Sequence, residues 1–487
     1  MAGITIDRAR SAGTVSRYIF GHFAEHLGRC IYGGIFVGKD SPIPNENGMR
    51  RDVVEAMRNL KVPVLRWPGG CFADEYHWRD GIGPLEARRR MVNTNWGGVV
   101  EDNSFGTHEF LELCRQVGCE PYITGNVGSG TVQEMSEWVE YLNSDGDSTV
   151  VRERWKNERK DPWGVRFWGV GNESWGCGGN MRPEYYADVY RRYQGFCRQY
   201  GDHRLYKIAC GPSDGNLEWT ETLMKNAAFC MDGLSLHYYT IPGGWSHKNQ
   251  ALTFSREDYF ETLALAANME KIIRGHAAIM DRYDPEKRIG LVVDEWGTWF
   301  QVEEGTNPGF LYQQNTMRDA LVAAIHFDLF ARCCDRVFMA NIAQTVNVLQ
   351  AIILTEGDRM VLTPTYHVFD LYKEHMDARQ LDCFVQSDRI GTDRHAVDAI
   401  SASASEKDGK ITLTLSNLDP EKAREVEISL RGEEITGARG RILSGRMADY
   451  NDFDRERVAV RAYTDFTLKD GRLTAVLPPC AVAEIRL

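Results

Sequence analysis

Nowhere in these 487 residues is there a basic run dense enough to grip a polyanion; the longest is Arg88-Arg89-Arg90, against a net charge of −12. Nucleic acid and anionic membrane surfaces both demand a basic face, so neither is an expected partner. No apolar stretch is long enough to cross a bilayer. The opening Met1-Ala2-Gly3-Ile4-Thr5-Ile6 lacks the charged and apolar regions of a secretory signal. The 12 cysteines contain no CxxC pair and no zinc spacing, and Cys210, Cys333 and Cys334 sit in apolar runs where a thiol acts as a small hydrophobe. Free thiols fit a reducing compartment, which points to the cytoplasm. Also missing are a glycine-rich nucleotide loop, an internal repeat, a low-complexity tract and a long linker.

What remains is a well-packed composition, 43% hydrophobic and 11% aromatic, with 12 tryptophans and 20 tyrosines. Flat rings with a polar edge suit sugar faces and large cores alike. The length suggests two or three domains. From about residue 16 to 375, strand-like runs alternate with amphipathic helical patterns. The strand candidates are Arg17 to Phe23, Val62 to Trp67, Pro121 to Gly125, Val165 to Val170, Tyr206 to Cys210, Gly233 to Leu236, Gly290 to Val293 and Val337 to Ala340. Eight strands, most ending in a polar or glycine-rich cluster, predict an α/β fold of the (β/α)8 barrel type with its chemistry at the C-terminal strand ends. Helices are expected over Thr107 to Val117, Arg182 to Tyr200 and Met317 to Cys333. After about residue 376 the runs shorten and alternate, with turns at Asp408-Gly409 and Asp470-Gly471. Residues 376–487 therefore read as an antiparallel β-sandwich, joined by a strand from the N-terminal segment 1–15.

Two apolar runs stop at a glutamate. Trp168-Gly169-Val170-Gly171-Asn172-Glu173 runs out of the fourth strand candidate, and Leu291-Val292-Val293-Asp294-Glu295-Trp296-Gly297 runs out of the seventh. A barrel would set the two acids across its mouth from one another. Carboxyl groups about 5–5.5 Å apart support a retaining double displacement at a glycosidic bond, and a wider gap supports inversion.

Around these glutamates the chain resembles the family 51 glycoside hydrolases, the α-L-arabinofuranosidases. The likeness runs from Gly21-His22-Phe23-Ala24-Glu25-His26 to Leu477-Pro478-Pro479, through Arg66-Trp67-Pro68-Gly69-Gly70, Gly171-Asn172-Glu173, Asp294-Glu295-Trp296-Gly297 and Asn341-Ile342-Ala343-Gln344. The resemblance implies that Glu173 is the general acid/base and Glu295 the nucleophile. It implies that Asn172 holds the sugar 2-hydroxyl, that Glu25, Arg66, Trp96 and Gln344 line the glycone pocket, and that Tyr239 and His237 neighbour the nucleophile. Cys71 falls where members carry either asparagine or cysteine. The implied activity is retaining, exo-acting release of terminal arabinofuranose from arabinan- or arabinoxylan-derived oligosaccharides, without cofactor or metal, by a homo-oligomer that is often a hexamer.

Rival readings stay open at this point. The same fold could serve a β-xyloside or an endoglucanase cleft, and a noncatalytic sugar-binding protein is a further alternative. His22-Phe23-Ala24-Glu25-His26 matches an inverted zinc-protease pattern, but it follows a strand and sits between glycines rather than inside a helix. Trp175, Trp296 and Trp299 suit either sugar stacking or core packing. Trp175-Gly176-Cys177-Gly178-Gly179 reads as a loop shaping the leaving-group side.

Overall fold

The computed structural model describes residues 2–487. Eight parallel strands close into a barrel in sequence order: β1 (Gly21–Phe23), β2 (Val64–Trp67), β3 (Glu120–Gly125), β4 (Phe167–Val170), β5 (Tyr206–Ala209), β6 (Gly233–Thr240), β7 (Gly290–Thr298) and β8 (Val337–Ile342). Each predicted strand is present, with edges that differ for physical reasons. Arg17–Phe20 forms a 3-10 turn, because the Ser16 hydroxyl accepts from the Tyr18 amide, and only Gly21–Phe23 enters the barrel. β6 and β7 run past their apolar cores through His237-Tyr238-Tyr239-Thr240 and Asp294-Glu295-Trp296-Gly297-Thr298. Glu295 thus lies within a strand rather than after one. The two extensions pair with each other, His237 opposite Glu295 and Tyr239 opposite Gly297, beyond a bulge between Ser235 and His237.

Val64, Tyr122, Phe167, Ile208, Val292 and Met339 pack together as a small cluster of their own, with Tyr18 and Phe338 against it. Large side chains therefore fill the barrel interior. The helix Thr107–Val117 matches its expected limits, and it ends at Gly118, whose positive φ of 84° suits a glycine cap. The helix expected over Arg182 to Tyr200 spans Pro183–Gln194. Met317–Arg332 is buried almost throughout, because it packs on the barrel from one side and on the second domain from the other.

That second domain is a ten-stranded sheet folded over a separate core that includes Ile4, Ile6, Leu413, Leu415, Val426, Ile428, Leu473 and Ile485. Its strands are mostly antiparallel, with one departure from expectation. The N-terminal strand Ala2–Asp7 pairs antiparallel with Arg379–Gln386 on one side and parallel with Arg424–Leu430 on the other. It is an interior strand, and Ile4 and Ile6 point into the core by the alternation of side chains.

The cysteines require a correction. Cys71 and Cys177 form a disulfide, and ten cysteines are free among the described residues. The pair is 106 residues apart in sequence, so spacing alone could not reveal it. Barrel closure brings the loops after β2 and β4 together and leaves their Cα atoms 5.5 Å apart.

Candidate active site

The C-terminal ends of β2, β4, β6, β7 and β8 surround a cavity of about 430 Å³, with Glu25, Cys71, Trp96, Glu173, Tyr239, Glu295 and Gln344 on its wall. Trp175, Ser213, Asp214, Trp245, Trp299 and Leu311 carry the wall outward. Of the ten side chains singled out from the sequence, seven line this cavity, Arg66 and His237 touch residues that line it, and Asn172 is joined to it through Arg66.

Arg66, at the tip of β2, organises the floor. Its Nη1 donates to Glu295 Oε1 at 2.8 Å and its Nη2 to Asn172 Oδ1 at 2.5 Å. Its Nε donates to Thr124 Oγ1 at 3.2 Å. Burial disfavours the guanidinium charge, but Asp294 and Glu295 outweigh that cost. Tyr239 donates to the other oxygen of Glu295, Oε2, at 2.7 Å. Burial first, and then the charge of Glu295, push the Tyr239 phenol well above its ordinary value, so it stays a donor. Glu295 therefore receives a donor on each oxygen, one of them a cation.

Glu173 sits at a sharper bend. Gly171 has a φ of 87° and Glu173 itself 39°, so two residues in the left-handed region turn the chain at the end of β4. Its side chain is 18% exposed against 7% for Glu295, so Glu173 stands nearer the opening. Burial raises the Glu173 carboxyl, the charge of Glu295 adds to the rise, and a 2.8 Å hydrogen bond with His237 Nδ1 opposes it. His237 is itself close to three acids: Glu173, Asp294 (3.2 Å from Nε2) and Glu295 (3.4 Å from Nδ1). Burial alone would depress it, yet the surrounding carboxylates raise it to about 10. One oxygen of Glu173, one of Glu295 and a ring nitrogen of His237 all lie within 4.8 Å of one another.

On the inner side, Glu25 collects three donors: Phe72 N at 3.1 Å, Trp96 Nε1 at 2.9 Å and Gln344 Nε2 at 2.7 Å. Burial and the charge of Glu295 nevertheless push it up to about 7. The two glycines of Arg66-Trp67-Pro68-Gly69-Gly70 are required by close approach. A Cβ on Gly69 would lie 2.7 Å from Glu25 Cγ, and one on Gly70 would lie 2.9 Å from Glu295 Oε1. Cys71 lines the cavity too, but its sulfur is bonded to Cys177 instead of free.

Two donor clusters have the right residue types for a metal: Glu173, His237 and Glu295, and Cys71, Glu173 and Cys177. In the first, the carboxylates already engage Arg66, Tyr239 and His237; in the second, the disulfide removes both thiolates. The protease-like motif does not converge either. His22 is buried against Phe369 with both ring nitrogens unpartnered, and burial drops it to about 3. His26 instead stacks on Phe72 at 4.7 Å.

Several residues of the site escaped sequence reasoning. Asp294 accepts from Tyr122 at 2.7 Å and faces Arg66 and His237, which hold its carboxyl below the ordinary value despite burial. It was visible beside Glu295, but nothing in its spacing showed an inward direction. Asp74 accepts from the Asn172, Val127 and Gly128 amides, yet burial raises it to about 7. Trp245 is an exposed loop residue whose ring meets Trp299 at 5.0 Å, and Trp299 meets Tyr239 at 5.1 Å. No local pattern foretells that row of rings.

Comparison with known proteins bears on this geometry. Residues 56–253 match the family model described as Alpha-L-arabinofuranosidase 1 domain, and residues 294–481 match the Alpha-L-arabinofuranosidase C-terminal domain. An intracellular exo-alpha-L-arabinofuranosidase of Bacteroides ovatus is 51% identical, across 100% of this chain and 95% of that relative. The crystal structure of a GH51 arabinofuranosidase from Xanthomonas axonopodis pv. citri superposes with a TM-score of 0.98 at 48% identity, covering 100% of this chain and 99% of that one. An α-L-arabinofuranosidase from Thermotoga maritima, solved as an arabinose complex, superposes at 0.87 with 31% identity and full coverage of both chains. By sequence and by fold, this chain belongs to the family 51 glycoside hydrolases, the α-L-arabinofuranosidases.

Proposed function

We propose that this chain is a retaining, exo-acting α-L-arabinofuranosidase in which Glu295 is the nucleophile and Glu173 the general acid/base. The observation that carries the reading is the approach of Glu173 and Glu295 oxygens to within 4.8 Å at the rim of a walled cavity. That spacing suits attack by one carboxylate while the other serves the leaving group, and it leaves little room for the water an inverting enzyme needs.

In the first step Glu295 attacks the anomeric carbon while Glu173 gives its proton to the departing oxygen. The rise of the Glu173 carboxyl favours its protonated form at this stage. Once the glycosyl ester forms, the negative charge of Glu295 is gone, the reason for Glu173 to hold a proton weakens, and it can draw one from water. Asn172, held by Arg66, faces the place of the sugar 2-hydroxyl. Glu25, Trp96 and Gln344 hold the remaining hydroxyls. Cys71 supplies wall rather than a free thiol.

The substrates proposed are short arabinan- or arabinoxylan-derived oligosaccharides bearing terminal arabinofuranose. We place the enzyme in the cytoplasm, in keeping with the word intracellular in the name of the Bacteroides ovatus relative, and extend to it the homo-hexameric state expected from the family resemblance. Sedimentation analysis reads the assembly directly. The activity is tested by proton NMR of the first products from an aryl α-L-arabinofuranoside. Initial release of the α-anomer supports the reading; β-arabinofuranose as first product, or greater turnover of an aryl β-xyloside, overturns it.

A further inference from the structure

The support of Glu173 differs from that of Glu295. Glu295 belongs to strand β7 and has Arg66 and Tyr239 on its two oxygens. Glu173 stands outside regular structure, in a loop that wraps back on itself: the Gly176 and Gly178 amides both donate to the Glu173 carbonyl, at 2.7 and 3.0 Å. Of its two carboxyl oxygens, Oε1 meets His237 at 2.8 Å. Oε2 faces sulfur, with Cys177 Sγ at 3.4 Å and Cys71 Sγ at 3.8 Å. Cys177 is exposed and Cys71 is partly covered, so the bond can be reached from solvent at Cys177.

From this arrangement, and resting on the acid/base assignment above, we propose that the Cys71–Cys177 bond is a positioning element for Glu173, and that a dithiol reductant weakens the proton-donating step by opening it. Cys177 is the residue this adds to the site. A thiolate of the reductant attacks Cys177 Sγ, and Cys71 departs as a thiolate and takes up a proton. The second sulfur of the reductant then attacks the mixed disulfide and frees the Cys177 thiol. The reductant leaves as a disulfide, and the cystine has gained two electrons and two protons.

Two consequences act in the same direction. Opening the bond removes the covalent tie between the loops after β2 and β4, so the bend that aims Glu173 is held by hydrogen bonds alone. A disulfide sulfur carries no hydrogen, whereas each thiol does; two S–H groups beside Oε2 then favour the ionised carboxyl over the acid. The groups that face Glu173 are His237 from β6, Glu295 from β7 and the two cysteines, with Arg66 beyond Glu295. Reduction changes only the cysteines among them, and the contacts of Glu295 are left in place.

The test uses the full-length protein with and without dithiothreitol. Thiols are first counted by alkylation under denaturing conditions; ten reactive thiols before reduction and twelve after are expected. Single-turnover rates of glycosylation are then compared on two substrates, an arabino-oligosaccharide and 2,4-dinitrophenyl α-L-arabinofuranoside, whose leaving group needs no proton. Reduction should slow the oligosaccharide about tenfold and the dinitrophenyl glycoside less than about twofold, and should move the basic limb of the oligosaccharide pH profile to lower pH. Cys177→Ser should show the same split without reductant and ignore its addition. Twelve thiols in the untreated protein, or equal effects on both substrates, overturn the proposal. Glu173→Ala, measured in parallel, separates the two claims: if it shows the split and reduction does not, only the disulfide's role falls. If Glu173→Ala slows both substrates equally, the acid/base assignment itself falls.

Discussion

Single side chains offer the most direct tests, beginning with Tyr239. Its hydroxyl makes one hydrogen bond to Glu295 Oε2, and Tyr239→Phe removes that donor while keeping the ring against Trp299. A charge-assisted bond of this kind is worth about 1.5–3 kcal/mol, so kcat/KM should fall by about 10- to 100-fold with little change in melting temperature. Glu173 yields a prediction in pH. Its carboxyl is raised by burial, so the proton required for leaving-group departure persists above the ordinary value of 4.5 and is lost as pH climbs through the raised one. Oligosaccharide cleavage should show that basic limb, and single-turnover glycosylation by a dinitrophenyl glycoside should not. At this scale the two glutamates are legible in the sequence because each closes an apolar run. Asp294, Asp74 and Tyr122 are not, since their importance comes from burial and from partners contributed by other strands.

Among the structural elements, the segment after β2 is held close against both Glu25 and Glu295. Gly70→Ala would set a methyl group 2.9 Å from Glu295 Oε1, an oxygen already pinned by Arg66. A shift of the carboxylate by an ångström or less is the expected response, and kcat/KM should drop about 100-fold while circular dichroism and thermal unfolding stay near the parent. The elements themselves are readable as periodicity, but their ends are not. β6 and β7 continue into polar residues because those residues pair with each other across the rim, a tertiary fact that hydropathy does not record. The 3-10 turn at Arg17–Phe20 escapes for the opposite reason: its side chains look like a strand, and a serine cap decides otherwise.

Over the whole molecule, Asp328 is one of the side chains that join barrel and sheet domain. This buried acid of helix Met317–Arg332 accepts from Ser401 at 2.5 Å, Ser403 at 2.8 Å and Tyr372 at 3.0 Å. Burial raises it to about 6 from 3.8. Because the folded value exceeds the unfolded one, its favourable contribution is complete below about pH 4 and disappears as pH rises through about 6. The change is on the order of 3 kcal/mol. Asp328→Asn carries no such charge. Relative to the parent, the variant should therefore be more stable at pH 7 than at pH 4, as read from melting temperatures across that range. The two-domain plan is visible in the sequence as a change of texture near residue 376, whereas the Cys71–Cys177 bond and the parallel neighbour of the first strand join segments too far apart for any local pattern to announce.

The place of Ala2–Asp7 between Arg379–Gln386 and Arg424–Leu430 has a bearing on biogenesis. That strand must wait, unpaired, until partners lying beyond the whole barrel in sequence have been made. The barrel can close while translation continues, but the sheet domain cannot be completed before Arg379–Gln386 and Arg424–Leu430 have followed. A nascent chain stalled short of that point carries Ala2–Asp7 as a loose β-segment beside a finished barrel.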